Sequence, residues 1–279
     1  IIKYEAVEGN PIKLPTHSIR SVYTDDTGIV WIGTYNRGAF LIDNNAKKFS
    51  TYQKSLTLRH GVAGNNIKGI VEDKSGNIWI ACDGGGLGKL DLSRSEIVYD
   101  ESINRKLESK YLIELFQDSK ENLWIGTWGR GVYKMNPNTL ELINYRLESN
   151  GFGDNKVSCV YEDARGIIWA GTMGSGLFYL DPMTGKFVML FESTKPNHLA
   201  KTAYVTSIQE DDNGLLWIGT LYGLFNLKAL GNNTFEYNLY YKNTPSFNLG
   251  SNEINTIHHD SKGNLWFGTS DNGVALLVR

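Results

Sequence analysis

A short pattern recurs six times along this chain, at Trp31, Trp79, Trp124, Trp169, Trp217 and Trp266. It reads Trp-x-Gly-Thr, then two or three variable residues, a glycine and an apolar run. The spacing stays between 45 and 49 residues. A repeat of that length is one supersecondary unit that cannot cover its own apolar surface and relies on its neighbours to do so. The fold must therefore be a stack of six similar units.

Each unit reads as four short strands. In the first copy, residues 18–25 are rich in β-branched and aromatic side chains, and the turn Asp26-Thr27-Gly28 leads into residues 29–34. The variable stretch Tyr35-Asn36-Arg37-Gly38 connects these to residues 39–43, and residues 48–52 follow another polar turn. Runs of this kind bounded by Gly, Asn and Asp are strands joined by hairpins. The best helical window, residues 102–110, is short and charged and reads as a loop. A four-stranded antiparallel sheet repeated at this period is a β-propeller blade, and stacking blades around an axis covers their faces. Gly33, Gly126, Gly171, Gly219 and Gly268 each stand two residues after a repeat Trp, with Ala81 in the remaining copy. Small residues there let a neighbouring backbone approach. The expected fold class is all-β, a β-propeller forming a single domain over residues 1–279.

Complete blades are read at residues 18–52, 66–100, 111–145, 156–191 and 204–241, and a sixth of three strands from residue 253. Residues 1–4 resemble a spare fourth strand. Pairing them with residues 273–278 would complete the last blade and close a six-bladed ring, which removes two open edges. The alternative is an incomplete ring of seven. Because Ile1 already reads as strand and no signal peptide precedes it, the chain is expected to be an excised or processed piece.

The repeated Ile/Val-x-x-Asp-x-x-Gly-x-x-Trp-Ile-Gly-Thr-x-x-x-Gly-Leu pattern resembles the two-component regulator propeller repeat, as do the strand ends Tyr133-Lys134-Met135-Asn136-Pro137 and Phe178-Tyr179-Leu180-Asp181-Pro182. The resemblance implies the periplasmic sensor region of a hybrid two-component histidine kinase, part of a membrane-anchored receptor that senses glycan fragments. It also implies a second propeller and an immunoglobulin-like module in the same chain, and a homodimer. Six motifs rather than two sets of seven depart from that pattern.

Other classes find little support. A net charge of −2 gives no field to attract nucleic acid or an anionic membrane, and no direct membrane contact of this segment is expected. Two cysteines, Cys82 and Cys159, sit two repeats apart and read as buried small residues, not a disulfide. The five histidines show no metal spacing, and neither a hydrolase elbow nor a phosphate loop occurs; no cofactor, metal or catalytic residue is expected. Glu72-Asp73, Glu162-Asp163, Asp211-Asp212 and Asp25-Asp26 recur at one repeat position before a Gly turn, so they read as turn acceptors. The six repeat tryptophans likewise read as packing between blades.

Function is expected where the repeats differ. In a propeller, the loops joining second and third strands share a face with the loops between blades, and variation over a constant scaffold builds a binding surface. These loops supply Tyr35, Arg37, Asp83, Tyr111, Trp128, Arg130, Tyr222 and Asp271 as candidate ligand-binding residues. Trp128 is the single tryptophan outside the repeat position. Aromatic rings, guanidiniums and carboxylates suit sugars, whose C–H faces stack and whose hydroxyls need donors and acceptors. An oligosaccharide-sensing segment without catalytic activity is the leading expectation. A propeller enzyme acting on a glycan (lyase or glycosidase) and a protein-interaction scaffold are the alternatives.

Overall fold

A computed structural model describes residues 18–43, 48–54, 61–91, 96–147, 155–190, 204–231, 234–245, 247 and 249–278. The chain falls into two compact units divided between Asn144 and Tyr145. The first holds β1 (Ile19–Thr24), β2 (Val30–Thr34), β3 (Ala39–Asp43) and β4 (Lys48–Tyr52) as one sheet. A second sheet holds β5 (Ile67–Glu72), β6 (Ile78–Cys82), β7 (Gly86–Asp91) and β8 (Glu96–Val98). After helix α1 (Glu101–Lys106), the third comprises β9 (Leu112–Gln117), β10 (Leu123–Thr127), β11 (Val132–Met135) and β12 (Leu142–Tyr145). The second unit continues with β13 (Val157–Glu162), β14 (Ile168–Thr172), β15 (Leu177–Asp181) and β16 (Lys186–Met189). The fifth sheet is β17 (Val205–Glu210), β18 (Leu216–Thr220), β19 (Gly223–Gly231) and β20 (Thr234–Tyr240). The sixth has three strands among the described residues: β21 (Ile254–His259), β22 (Leu265–Thr269) and β23 (Val274–Leu277). Every sheet is an antiparallel meander in chain order, as the repeat predicts.

The stretch expected to be a loop, residues 102–110, instead begins inside α1. Asp100 caps the helix, its carboxylate accepting from the N–H groups of Ser102 at 2.7 Å and Ile103 at 3.2 Å. Ile103 and Leu107 are buried in the core between the second and third blades. Two apolar anchors four residues apart and one cap are enough once tertiary contact exists, though too sparse to produce a convincing period.

The hairpin joining the first two strands of each blade explains the acidic repeat position. Asp73 Oδ1 accepts from the N–H groups of Ser75 at 3.0 Å and Asn77 at 2.9 Å, while Oδ2 accepts from the Trp79 indole N–H at 2.8 Å. The same carboxylate–indole bond joins Asp25 to Trp31, Asp118 to Trp124, Asp163 to Trp169, Asp211 to Trp217 and Asp260 to Trp266. The turn thus holds the tryptophan from below and satisfies its N–H in the apolar interior. Burial opposes ionisation of Asp25 and Asp73, but these donors outweigh it and hold both carboxyls below the usual range.

Within each unit, the tryptophan of one blade is buried against the first strand of the next. Trp31 packs with Ile67 and Ile70, Trp79 with Leu112 and Leu115, Trp169 with Val205 and Ile208, and Trp217 with Ile254 and Ile257. The small residue after the tryptophan is required at these joints. A Cβ on Gly171 would stand 2.6 Å from the Cys159 sulfur and 2.6 Å from a Val205 methyl. Hydrogen bonds stitch the same joints: the Tyr23 hydroxyl donates to Glu72 at 2.5 Å, and the Ile257 N–H donates to the Ser207 hydroxyl at 3.1 Å. Cys82 and Cys159 are both free and buried.

One expectation for the tryptophans fails. Trp266 keeps its bond to Asp260 but is 39% exposed, whereas the other five repeat tryptophans are at most 2% exposed. Among the described residues, no further sheet follows the sixth along the chain to pack on that face. The expected pairing of residues 1–4 with residues 273–278 lies outside the described residues.

Candidate functional site

The loop edge opposite the Asp turns is built the same way in every blade. The residue after the motif Thr, or after Cys82, donates its backbone N–H to a carbonyl just before the first strand. The pairs are Tyr35 to Ser18, Asp83 to Asn66, Trp128 to Tyr111, Met173 to Lys156, Leu221 to Tyr204 and Ser270 to Glu253. The loops between second and third strands therefore lie directly beside the loops between blades, as the repeat geometry requires. The motif threonine holds its own loop. The Thr127 hydroxyl donates to the Gly131 carbonyl at 2.8 Å and accepts from the Arg130 N–H at 3.0 Å. Thr34 does the same with Gly38 and Arg37, which puts Arg37 and Arg130 at one loop position. In the second blade Cys82 cannot act this way, and its sulfur instead lies 3.3 Å from the Tyr99 hydroxyl.

In the first unit this edge presents three large aromatic rings to solvent. Tyr35 is 45% exposed, Tyr111 58% and Trp128 51%. Tyr111 and Trp128 come from adjoining loops of the third blade, joined by the 3.0 Å bond between Trp128 N–H and Tyr111 O. Asp83 forms a β-bridge with Tyr111, and its carboxylate accepts from the Asn66 amide at 2.8 Å. Three of the expected eight, Asp83, Tyr111 and Trp128, are thus joined, and Tyr35 stands at the matching loop position of the first blade. Arg37 is exposed beside Tyr35 in sequence. The Arg130 guanidinium lies 3.9 Å from Glu108, on the connection between α1 and Tyr111. Tyr222 and Asp271 belong to the second unit, where Tyr222 is 53% exposed and Asp271 is also exposed. The shortened fifth-blade loop still uses the motif hydroxyl, with Thr220 donating to Gly223 O at 2.8 Å.

Two residues that the strand pattern hides complete the arrangement. Arg20 places its guanidinium carbon 4.8 Å from the Tyr35 ring centroid, and Lys68 places its Nζ 5.8 Å from it. Both occupy a β-bulge. The first strand of every blade shifts register after its first residue, between Ile19 and Ser21 and between Ile67 and Gly69 in these two. Strict alternation would set Arg20 on the side of Val22; the extra residue re-aims it towards the loop edge. The signal available in the sequence was a charged residue following the first apolar position of the strand in two consecutive repeats.

Chemically the edge can stack on sugar rings and exchange hydrogen bonds, with charges of both signs at hand. The repeated carboxylates are committed to indole N–H groups at the opposite end of each blade. Among the described residues, no group of three His, Cys, Asp or Glu side chains is placed to hold a metal ion, and no helix is long and apolar enough to cross a membrane.

Five segments of the chain, residues 13–36, 61–84, 151–174, 200–222 and 248–271, match the two-component regulator propeller family. Five of the six repeats of this protein are two-component regulator propeller repeats. The third copy falls outside the matched segments; there Glu121 adopts a φ of 69° at the turn position where other blades have glycine. The chain is similar to the solved extracellular domain of a putative hybrid two-component system of B. thetaiotaomicron, with 23% identity and a TM-score of 0.77, covering 99% of this chain and 36% of that one. A streptogramin B lyase structure shares the fold at 18% identity and a TM-score of 0.68, over 96% of this chain and 82% of the lyase. A histidine kinase of Formosa agariphila is 30% identical over 95 residues, 33% of this chain and 7% of the kinase. The chain thus spans about a third of the length of that extracellular domain, and its match takes in under a tenth of the kinase. The fold is a six-bladed β-propeller arrangement, with blades of three or four strands.

Proposed function

We propose that this propeller is a ligand-sensing, non-catalytic segment of a periplasmic two-component receptor, and that it recognises an oligosaccharide at the loop edge carrying Tyr35, Tyr111 and Trp128. The observation that carries the reading is the exposure of three large rings on one edge of a scaffold that buries five of its six repeat tryptophans. Exposed rings held by backbone bonds lose little freedom when a sugar stacks on them, and Asp83 and Asn66 offer polar partners beside them. The likeness to extracellular domains of hybrid two-component systems supports the sensor role and the placement outside the cytoplasm. A second propeller, an immunoglobulin-like module and a receptor homodimer would then carry the signal onward.

The competing reading as a glycan lyase draws on the shared fold of the streptogramin lyase. The commitment of the repeated carboxylates to structural bonds favours binding over catalysis. Calorimetric titration of a panel of glycan fragments against the wild type and the Tyr35→Ala, Tyr111→Ala and Trp128→Ala variants tests the proposal. Loss of one stacking ring is expected to weaken binding roughly tenfold, the equivalent of about 1.4 kcal/mol. Arg130→Ala, whose guanidinium is directed at Glu108, is expected to change affinity much less. Unchanged affinity in all three ring variants with the fold intact moves the site elsewhere, and turnover of any fragment by the pure chain rejects the non-catalytic reading.

A further inference from the structure

Arg20 and Lys68 are cations on neighbouring blades that share one aromatic ring. They stand at the same bulge position of their repeats, and the corresponding residues of the other blades, Ile113, Ser158, Thr206 and Asn255, carry no charge. Among the described residues neither makes an ion pair, although the same unit holds such pairs as Lys74 with Glu121 at 2.8 Å. The carboxylate near them, Asp83, is engaged by the Asn66 amide. Lys68 is partly buried, and burial lowers its pKa; Asp83 works against that shift, and the charge on Arg20 adds to it. Two like charges are thus held side by side, one short of solvent, by strands whose bulges aim both at the open loop edge. Asp83 offsets part of their mutual repulsion, and two cations beside one carboxylate leave a net positive charge that an anion at this edge would meet. The planar guanidinium adds two parallel N–H donors that match the oxygens of a carboxylate or a sulfate.

We infer that Arg20 and Lys68 form an anion subsite beside Tyr35, and that the ligand of this edge is an acidic oligosaccharide bearing a carboxylate or sulfate group. The inference rests on the proposed oligosaccharide reading for the identity of the ligand, but the anion subsite can be tested without any sugar. The first arm follows the Arg20 Nε–H and Lys68 side-chain signals by NMR during titration with sodium sulfate and with sodium acetate, in wild type and in an Arg20→Gln/Lys68→Gln double variant. A saturable shift in the wild type that is absent from the variant is expected. The second arm measures binding of oligogalacturonates, sulfated galactan fragments and uncharged galactan fragments at low and high salt. Acidic fragments are expected to bind more tightly than neutral ones, to lose roughly tenfold for each cation removed, and to weaken with salt. The relative affinities of the uronate and sulfate sets identify which acid the subsite prefers. No saturable shift in the first arm overturns the anion subsite, whatever sugars bind. Equal binding of neutral and acidic fragments, unaffected in the double variant, overturns the acidic ligand and leaves oligosaccharide recognition standing. A clear first arm with no fragment bound retains the anion subsite and sinks the oligosaccharide reading beneath it.

Discussion

The fifth and sixth blades carry nearly the same hairpin, yet their tryptophans meet different surroundings. Trp217 and Trp266 each donate an indole N–H to the aspartate six residues earlier, at 2.7 and 2.8 Å. Trp217 is then enclosed by Tyr240 of its own blade and by Phe247 and Phe267 beyond it, with ring centroids 5.8 to 5.9 Å away. Among the described residues Trp266 meets no such rings, and it stays 39% exposed. The cross-strand partners differ accordingly: Asn226 opposite Trp217 is buried, and Leu276 opposite Trp266 is exposed. The hairpin makes the bond, and the following blade makes the core. The first blade shows the reverse side of the same rule. Val22 is 63% exposed, while its counterparts Ile70, Leu115, Ile208 and Ile257, each facing a preceding blade, are at most 8% exposed.

Removing the indole breaks the comparison most strongly. Trp217→Ala should cost about 3–5 kcal/mol, the usual range for emptying an enclosed aromatic site. Trp266→Ala should cost about 1–2 kcal/mol, because the face is already open to water and no sealed cavity forms. Chemical denaturation of both variants checks the ordering; equal losses would mean that Trp266 is covered in solution. Next in size is the shared bond. Asp211→Ala leaves a buried indole N–H and two turn N–H groups without their acceptor and should cost about 1–3 kcal/mol, whereas Asp260→Ala lets water replace the carboxylate and should cost less. A greater loss at Asp260 would assign the bond more weight than the burial around it.

The smallest effect is a pH dependence, and its sign differs between two kinds of carboxyl. Asp25, Asp73 and Asp260 are held below their ordinary pKa: burial disfavours the charge on Asp25 and Asp73, but hydrogen bonds outweigh it, and for Asp260 the indole bond leads. Each binds protons more weakly folded than unfolded, so its contribution is present above the unfolded pKa and is lost as pH falls through the folded one. Glu114 behaves oppositely. It occupies the strand position that holds Ser207 in the fifth blade and Thr256 in the sixth, each opposite the motif glycine. Burial pushes its carboxyl up to about 8, with only the Leu115 N–H opposing. Its contribution is full below the unfolded pKa near 4.5 and declines as pH rises through about 8. Stability measured from pH 5 to pH 9 should therefore fall in the wild type and stay flatter in Glu114→Gln, while below pH 4 both should lose stability together. A flat wild-type profile above pH 5 would place Glu114 in water.

Much of this was legible in the repeat. Blade limits, turn positions and the need for a small residue after each tryptophan all depend on contacts within a few residues or on a spacing that every copy repeats. The carboxylate–indole bond could also have been read, since aspartate precedes tryptophan by six residues in every blade. The site was less legible. Tyr35, Asp83, Tyr111 and Trp128 could be placed on one loop edge because their loops vary over a constant frame. Arg20 and Lys68 were hidden because strict alternation has no place for a bulge, and the approach of Arg130 to Glu108 joins residues 22 apart in the sequence.

The sequence alone therefore determined the unit: four strands, an Asp-Gly turn and a tryptophan held by that turn, all specified by backbone dihedrals and hydrogen bonds of short range. Only the tertiary structure decided which tryptophans become core, that two apolar side chains four residues apart draw α1 into a helix, and which charges meet at the loop edge. Those outcomes depend on the surface of a neighbouring blade some 45–50 residues away, where burial, not local preference, sets the free energy.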